Sequence, residues 1–288
     1  MPGNIRRRSF FKVQNSADYR IIVRGAGDIA TGSIYRLFKA GFRPVLLETE
    51  KPSAIRRTVA FSEAVYDGKA EIEGVTARLA GGLSDAVDIA NNNEIPIIID
   101  PEGNTIFEYR PDAVVDAILA KKNLGTSKDM APLTVALGPG FIAGTDCDYV
   151  IETMRGHTLG RVISEGPAIP NTGTPGAIAG VTKERVIHSP AAGIMRNVNK
   201  IGDAVQKGEV IAYIEDEEGK KTDIEATISG LLRGLIRDGY EVTEGFKIAD
   251  IDPRLEEHDN CFTISDKARS IGGSVLELIT ADFISKTL

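Results

Sequence analysis

No apolar run in the sequence approaches the roughly 20 residues that a membrane helix needs, which excludes a helical membrane span. Cysteine is scarce. Cys147 and Cys261 form no CxxC or other metal-ligand spacing, so neither a zinc site nor a disulfide framework is expected, and a reduced, cytoplasmic protein is the simplest reading. An excess of basic residues is also missing: 34 Lys and Arg stand against 41 Asp and Glu, a net charge of −7, which argues against a general nucleic-acid binder. Tryptophan is absent and aromatics make up 6 %, yet apolar residues reach 42 %, enough for a real core in one large domain or two ordinary ones. No nucleophile elbow, metal triad or paired His/Cys constellation appears.

What is present begins with Arg24-Gly25-Ala26-Gly27-Asp28-Ile29-Ala30-Thr31-Gly32. This loop follows the apolar run Ile21-Ile22-Val23 and precedes an amphipathic stretch, the strand–glycine–helix context of a dinucleotide-binding fingerprint. Gly25 suits the tight turn, Gly27 a close approach by phosphate, and Ala30 the packing of helix on strand. About twenty residues on, Val45-Leu46-Leu47 ends in Glu48, where such folds place an acid that holds a ribose. Asp28 sits awkwardly, because a carboxylate in the first helical turn repels a pyrophosphate there. Arg56 and Arg57 are further candidates for holding a phosphate group. The expected ligand-binding residues are therefore Gly25, Ala26, Gly27, Asp28, Glu48, Arg56 and Arg57, with no metal ligand.

From residue 19 to 140 strand and helix patterns alternate, which predicts a Rossmann-like parallel sheet covered by helices. Ile95-Pro96-Ile97-Ile98-Ile99 reads as a buried strand, and Pro111 is expected to open a helix carrying Val114, Val115, Ile118 and Leu119. Residues 1–18, with Arg6-Arg7-Arg8 and Lys12, read as a mobile basic leader without a signal-peptide core. Residues 141–183 form an irregular connecting segment containing His157 among Glu152, Arg155 and Arg161, and the Gly/Pro-rich run Asn171-Thr172-Gly173-Thr174-Pro175-Gly176.

Residues 190–214 recur at 227–251 with a constant offset of 37. Gly193, Gly202 and Gly208 match Gly230, Gly239 and Gly245, and Arg196 matches Arg233. Glycines in register mark turns with a specific backbone demand, so two related β-halves are expected over residues 184–252. The spacing resembles the half-motif of the biotinyl/lipoyl domain, which implies an all-β barrel-sandwich hybrid. The link between the halves places Lys220 and Lys221 near an acidic turn without an attachment signature, so no biotin or lipoyl group is expected. Residues 253–288 run through His258 and Cys261 to a helix opened by Ser265 or Asp266. That helix is expected to return to the first domain, and its Gly272-Gly273 pair suits close approach to another backbone.

The Gly25 loop, residues 54–64, Leu137-Gly138-Pro139-Gly140-Phe141, Arg155-Gly156-His157, Asn171-Thr172-Gly173 and Ile264-Ser265-Asp266-Lys267-Ala268 together resemble the YqeB family, in matching order from about Arg20 to Leu278. The resemblance implies an accessory protein maturing a selenium-dependent molybdenum hydroxylase. Its partners would be the hydroxylase or its maturation machinery and a nucleotide-containing small molecule, with NAD(P) or a molybdopterin dinucleotide as candidates. Neither nucleic acid nor membrane is expected as a partner. The alternatives are a nicotinamide-dependent oxidoreductase of a small metabolite, using His157 or the Glu152 region, and a non-catalytic docking scaffold. Cys261 could serve as a redox or sulfur/selenium-handling thiol, but a lone cysteine before Phe262 is more often merely buried.

Overall fold

The computed structural model describes residues 15–173, 176 and 178–287; most of the basic leader, with Arg6-Arg7-Arg8 and Lys12, lies outside these residues, as do Thr174 and Pro175. The first domain holds β1 (Arg20–Arg24), β2 (Arg43–Glu48), β3 (Lys69–Ile72), β4 (Val75–Ala80), β5 (Ile95–Ile99), β6 (Ala113–Asp116) and β7 (Leu133–Leu137). A two-stranded piece, β8 (Ile142–Ala143) with β11 (Gly166–Pro167), flanks β9 (Tyr149–Ile151) and β10 (Val162–Ile163). One nine-stranded sheet runs in the order β10-β9-β7-β6-β1-β2-β5-β4-β3. Its strands from β9 to β4 are parallel, whereas β10 and β3 pair antiparallel at the two edges.

The expected Rossmann-like parallel sheet is thus corrected to a large mixed sheet. At one edge the cause is local. Glu73 and Gly74 join β3 to β4 with φ of 48° and 75°, a two-residue turn that can only return the chain antiparallel. The helix expected after Pro111 is also corrected. Val114 and Val115 lie in β6, fully buried between β1 and β7, because a β-branched run covered on both faces packs as a central strand.

Helix α1 (Asp28–Lys39) follows β1 directly and buries Ala30, Ile34 and Leu37 against the sheet. Asp28 in its first turn and Arg36 and Lys39 in its last complement the helix dipole. The shorter helices α2 (Ala64–Asp67), α3 (Leu83–Asn91) and α4 (Thr105–Tyr109) complete this part.

The long C-terminal helix α5 (Asp266–Thr287) packs along α1. A Cβ on Gly32 would lie 2.3 Å from the Ala268 carbonyl oxygen, and one on Gly272 would lie 2.4 Å from the Gly32 oxygen. Glycine at both places lets the two backbones touch.

The β-rich unit contains β12 (Val186–His188), β13 (Gly193–Asn197), β14 (Ala204–Val205), β15 (Val210–Glu215), β16 (Lys221–Glu225), β17 (Gly230–Leu235), β18 (Glu241–Val242) and β19 (Lys247–Asp252). They form two four-stranded antiparallel sheets, β12-β19-β17-β14 and β16-β15-β13-β18, each drawing strands from both halves of the repeat. Paired glycines adopt matching backbones, with φ of 97° and 76° at Gly202 and Gly239 and 85° and 79° at Gly208 and Gly245.

The biotinyl/lipoyl-like barrel-sandwich assignment is withdrawn. This unit is clamped to the first domain: Leu235 donates its N–H to the Ile55 carbonyl, Arg57 Nε donates to the Leu235 carbonyl, and Arg237 pairs with Glu63 and Asp67. The turn between the halves is tied down by Asp216, whose Oδ1 accepts from the N–H groups of Glu218 and Lys220.

Candidate functional site

A cleft of about 520 Å³ opens between the first domain and the β-rich unit. Its floor is the end of β1 and the start of α1, from Gly25 to Ala30, and the start of α5 adds Ser265 and Lys267. Two helix N-termini therefore face one space, and each carries partial positive charge. Gly27 caps α1 without a side-chain hydrogen bond, and a Cβ built there meets nothing within 4 Å. Gly25 has a different duty. Its φ of +89° makes the turn, and a Cβ would lie 2.9 Å from backbone atoms of Ala117 and Ile118.

Cations dominate the walls: Arg56, Arg155, Arg185, Arg233, Lys247 and Lys267 line the cleft, against Asp28, Glu48 and Asp250. Several are spoken for. Arg56 donates to both oxygens of Asp28 at 3.0 and 3.1 Å and to the carbonyls of Asn260 and Thr263. Arg155 makes a two-pronged pair with Asp266 at 2.7 and 2.9 Å, which holds the Asp266 carboxyl down at about 2. Arg185 donates to Asp250 Oδ2 at 2.9 Å.

Arg233, Lys247 and Lys267 make no ion pair or side-chain hydrogen bond with another described residue. Desolvation lowers the pKa of the half-buried Arg233 and Lys267 and also of the more exposed Lys247. Carboxylates nearby but not in contact oppose the fall, Asp28 for all three and Asp250 for Arg233 and Lys247. Arg233 reaches its place through a β-bulge. Leu232 pairs with Ile251 and Gly234 with Asp250, so Arg233 is the extra residue of β17. Gly234 beside it leaves room for Ile55, whose side chain would lie 3.2 Å from an added Cβ.

Of the residues expected from sequence, Gly25, Gly27, Asp28, Glu48 and Arg56 line this cleft. Ala26 contributes its backbone, donating N–H to Glu48 Oε2 at 2.8 Å, while Thr49 N–H donates to Oε1 at 2.9 Å. Glu48 is thus engaged by the chain itself. Burial raises its pKa, and those two hydrogen bonds oppose the rise. Arg57 does not line the cleft, being bonded to Leu235. His157 is exposed outside the cleft. Cys261 is buried in the core of the β-rich unit, where burial raises its thiol pKa. Among the described residues no cluster of His, Cys, Asp and Glu is arranged to hold a metal ion, and no helix is long and apolar enough to cross a membrane.

Arg233, Lys247, Asp250 and Lys267 were not singled out as site residues from sequence. A signal existed in the repeat. β15 reads Val210-Ile211-Ala212-Tyr213-Ile214-Glu215, and at the offset of 37 β19 reads Lys247-Ile248-Ala249-Asp250-Ile251-Asp252. The second half has acquired charges that the strand does not need.

Comparison with known proteins extends this picture. No family model matches the chain. Over 260 residues, 90 % of the chain, it is 55 % identical to the uncharacterized protein YqeB of Escherichia coli (strain K12). That likeness supports the YqeB family. The chain spans about half, 47 %, of the length of that relative, whose name says nothing of selenium or molybdenum.

Solved structures similar to the chain include a succinylglutamate desuccinylase/aspartoacylase from Rhodobacter sphaeroides, 14 % identical, covering 82 % of this chain and 85 % of that one with a TM-score of 0.28. An aspartoacylase family protein from Mesorhizobium loti shares 14 % identity at the same coverages with a TM-score of 0.30. The ectoine utilization protein EutE (DoeB) from Ruegeria pomeroyi shares 10 % identity, covering 80 % of this chain and 56 % of that one, with a TM-score of 0.24. Likenesses of this order bear on neither substrate nor mechanism.

These solved structures are of desuccinylase/aspartoacylase type, and none is a biotinyl or lipoyl domain, a hydroxylase maturation factor or a nicotinamide oxidoreductase. The expected maturation role and the oxidoreductase alternative are corrected: neither is what these similar structures are described as, and their fold likeness assigns no activity in its place. The site agrees with that correction. Glu48, the intended ribose holder, already accepts from Ala26 and Thr49, and His157 stands outside the cleft.

Proposed function

We propose that the cleft between the mixed sheet and the β-rich unit binds a small anionic ligand, a phosphate-bearing molecule best suiting its chemistry. The observation that carries this reading is the convergence of Arg233 and Lys267, both half-buried, and of the more exposed Lys247, none in an ion pair with a described carboxylate, on the N-termini of α1 and α5. Concentrating uncompensated cations raises the energy of the unliganded protein, and an entering anion relieves it. The volume suits a small metabolite rather than a macromolecule. Arg56 and Asp28 neutralise each other, which removes the repulsion that Asp28 alone would present to an anion at α1.

Calorimetric titration of the full chain with inorganic phosphate and with pyrophosphate tests the reading. Saturable binding is expected, weakened at least tenfold by Arg233→Met and by Gly27→Asp, which sets a carboxylate at the α1 terminus without a backbone clash. Absence of saturable binding at millimolar anion, or affinities untouched by both substitutions, refutes it.

A further inference from the structure

The internal duplication supplies its own control for the charged wall. At the offset of 37, Arg196 corresponds to Arg233, Val210 to Lys247, Tyr213 to Asp250 and Glu215 to Asp252. In the first half Arg196 Nε donates to Glu215 at 3.0 Å, an ordinary structural pair. In the second half Asp252 is taken by Arg254, with contacts of 2.8 and 2.9 Å, and Arg233 is released to the cleft. The first half builds the same strand with Val210 and Tyr213, so a β-strand at this place does not itself demand Lys247 or Asp250, although Asp250 also pairs with Arg185.

On the anion-binding reading of the cleft Lys247 and Arg233 have a use, whereas Asp250 has none. A carboxylate in a cleft that collects cations weakens its hold on a bare anion. Asp250 is only 4 % exposed, and it lines the cleft. Its Oδ2 accepts from Arg185, while its Oδ1 is buried with no hydrogen-bond partner among the described residues. A carboxylate oxygen accepts and never donates, so what Oδ1 lacks is a donor. Arg185, itself only 7 % exposed, holds the carboxylate through one nitrogen on Oδ2, and its Nε, also buried without a hydrogen-bond partner among the described residues, does not bond Oδ1.

We infer that Asp250 is a specificity-determining residue that accepts a hydrogen bond from an O–H or N–H group of the ligand, so that the ligand is a hydroxylated or amino-bearing organic phosphate and not a bare inorganic anion. This inference rests on the anion-binding reading of the cleft and adds the second feature the ligand must carry. A cleft that only needed negative charge would gain from losing Asp250; one that must also recognise a neutral donor beside the phosphate would not.

The test titrates the full chain with inorganic phosphate, glycerol 3-phosphate and ribose 5-phosphate. The wild-type protein is expected to bind at least one of the hydroxylated phosphates tenfold or more tightly than inorganic phosphate. In Asp250→Ala that ratio should fall towards one. Because this substitution strips Arg185 of its counter-charge, Asp250→Leu combined with Arg185→Leu provides a second variant in which neither member of that pair is left behind as a lone buried charge, and it too should lose the preference. Equal wild-type affinity for all three ligands overturns the inference while leaving the anion cleft standing. A preference that survives in either folded variant likewise overturns the role of Asp250. Failure of all three ligands to bind overturns the anion-binding reading itself.

Discussion

Neighbouring glycines in α5 should respond to the same substitution with opposite sign. Alanine in place of an interior helical glycine stabilises by about 0.5–1 kcal/mol, because the unfolded chain loses freedom and the helix gains a good helix former. Gly273 meets nothing within 4 Å where a Cβ would stand, so Gly273→Ala should realise that gain. At Gly272 the same atom would lie 2.4 Å from the Gly32 oxygen, 2.6 Å from its carbonyl carbon and 2.9 Å from the Ser33 nitrogen. These are backbone atoms, so no rotamer change can relieve the contact, and α5 must move away from α1. Overpacking of this kind costs roughly 1–3 kcal/mol, and three backbone contacts under 3 Å put Gly272 towards the upper end, so the cost exceeds the helix gain and leaves a net loss of up to about 2.5 kcal/mol.

In urea denaturation followed by circular dichroism, slopes of about 1–3 kcal/mol/M convert these energies into midpoint shifts of a few tenths of a molar or more. The midpoint should rise for Gly273→Ala and fall for Gly272→Ala. Separating the helices also spreads the two N-termini at the cleft, so Gly272→Ala should weaken phosphate binding and Gly273→Ala should not. Midpoints that move in the same direction would refute the close-contact account of Gly272.

Two further outcomes follow from individual side chains. Asp266 titrates at about 2 because Arg155 donates to it from two nitrogens, so Arg155→Gln should return it towards 3.8, as measured by NMR titration of the carboxyl. Since its folded pKa is depressed, the stabilisation from this pair is complete above about pH 4 and is lost as pH falls towards 2. The Arg155→Gln protein should therefore show a weaker dependence of stability on pH within that window. Cys147 is fully buried, and burial, with Asp146 and Asp148 nearby, pushes its thiol up to about 12. At pH 8 iodoacetamide should leave it unmodified in the folded protein and label it in urea; labelling at equal rates in both would contradict the burial.

Local pattern carried much of the architecture. Ile21-Ile22-Val23 before the glycine loop, the wholly apolar Ile95–Ile99 and the run Leu133–Leu137 are strands because such segments have nowhere to go but a buried sheet. The amphipathic period after Asp28 and the Ser265-Asp266 start were legible as helices for similar reasons. The 37-residue repeat was legible because its glycines occupy positive-φ turns that few other residues tolerate. Misreadings arose where two periods compete. Val114 and Val115 satisfy a helical spacing as well as a strand, and only burial between β1 and β7 decides for the strand.

The sequence by itself therefore determined the glycine turn, the strands flanking it, helix α1 and the two matching β-halves, because each rests on interactions between residues close in the chain. It also placed Gly25, Gly27, Asp28, Glu48 and Arg56 as a group, which the structure gathers in one cleft. Tertiary structure alone decided what that cleft is. Glu48 turns inward to Ala26 and Thr49, Arg57 is drawn away to Leu235, and Asp28 is neutralised by Arg56. Arg233, Lys247 and Asp250 arrive from a strand pair some two hundred residues downstream. Whether a charge is paired or left over depends on which partner lies within about 4 Å, and for residues so distant along the chain only the folded arrangement sets that distance.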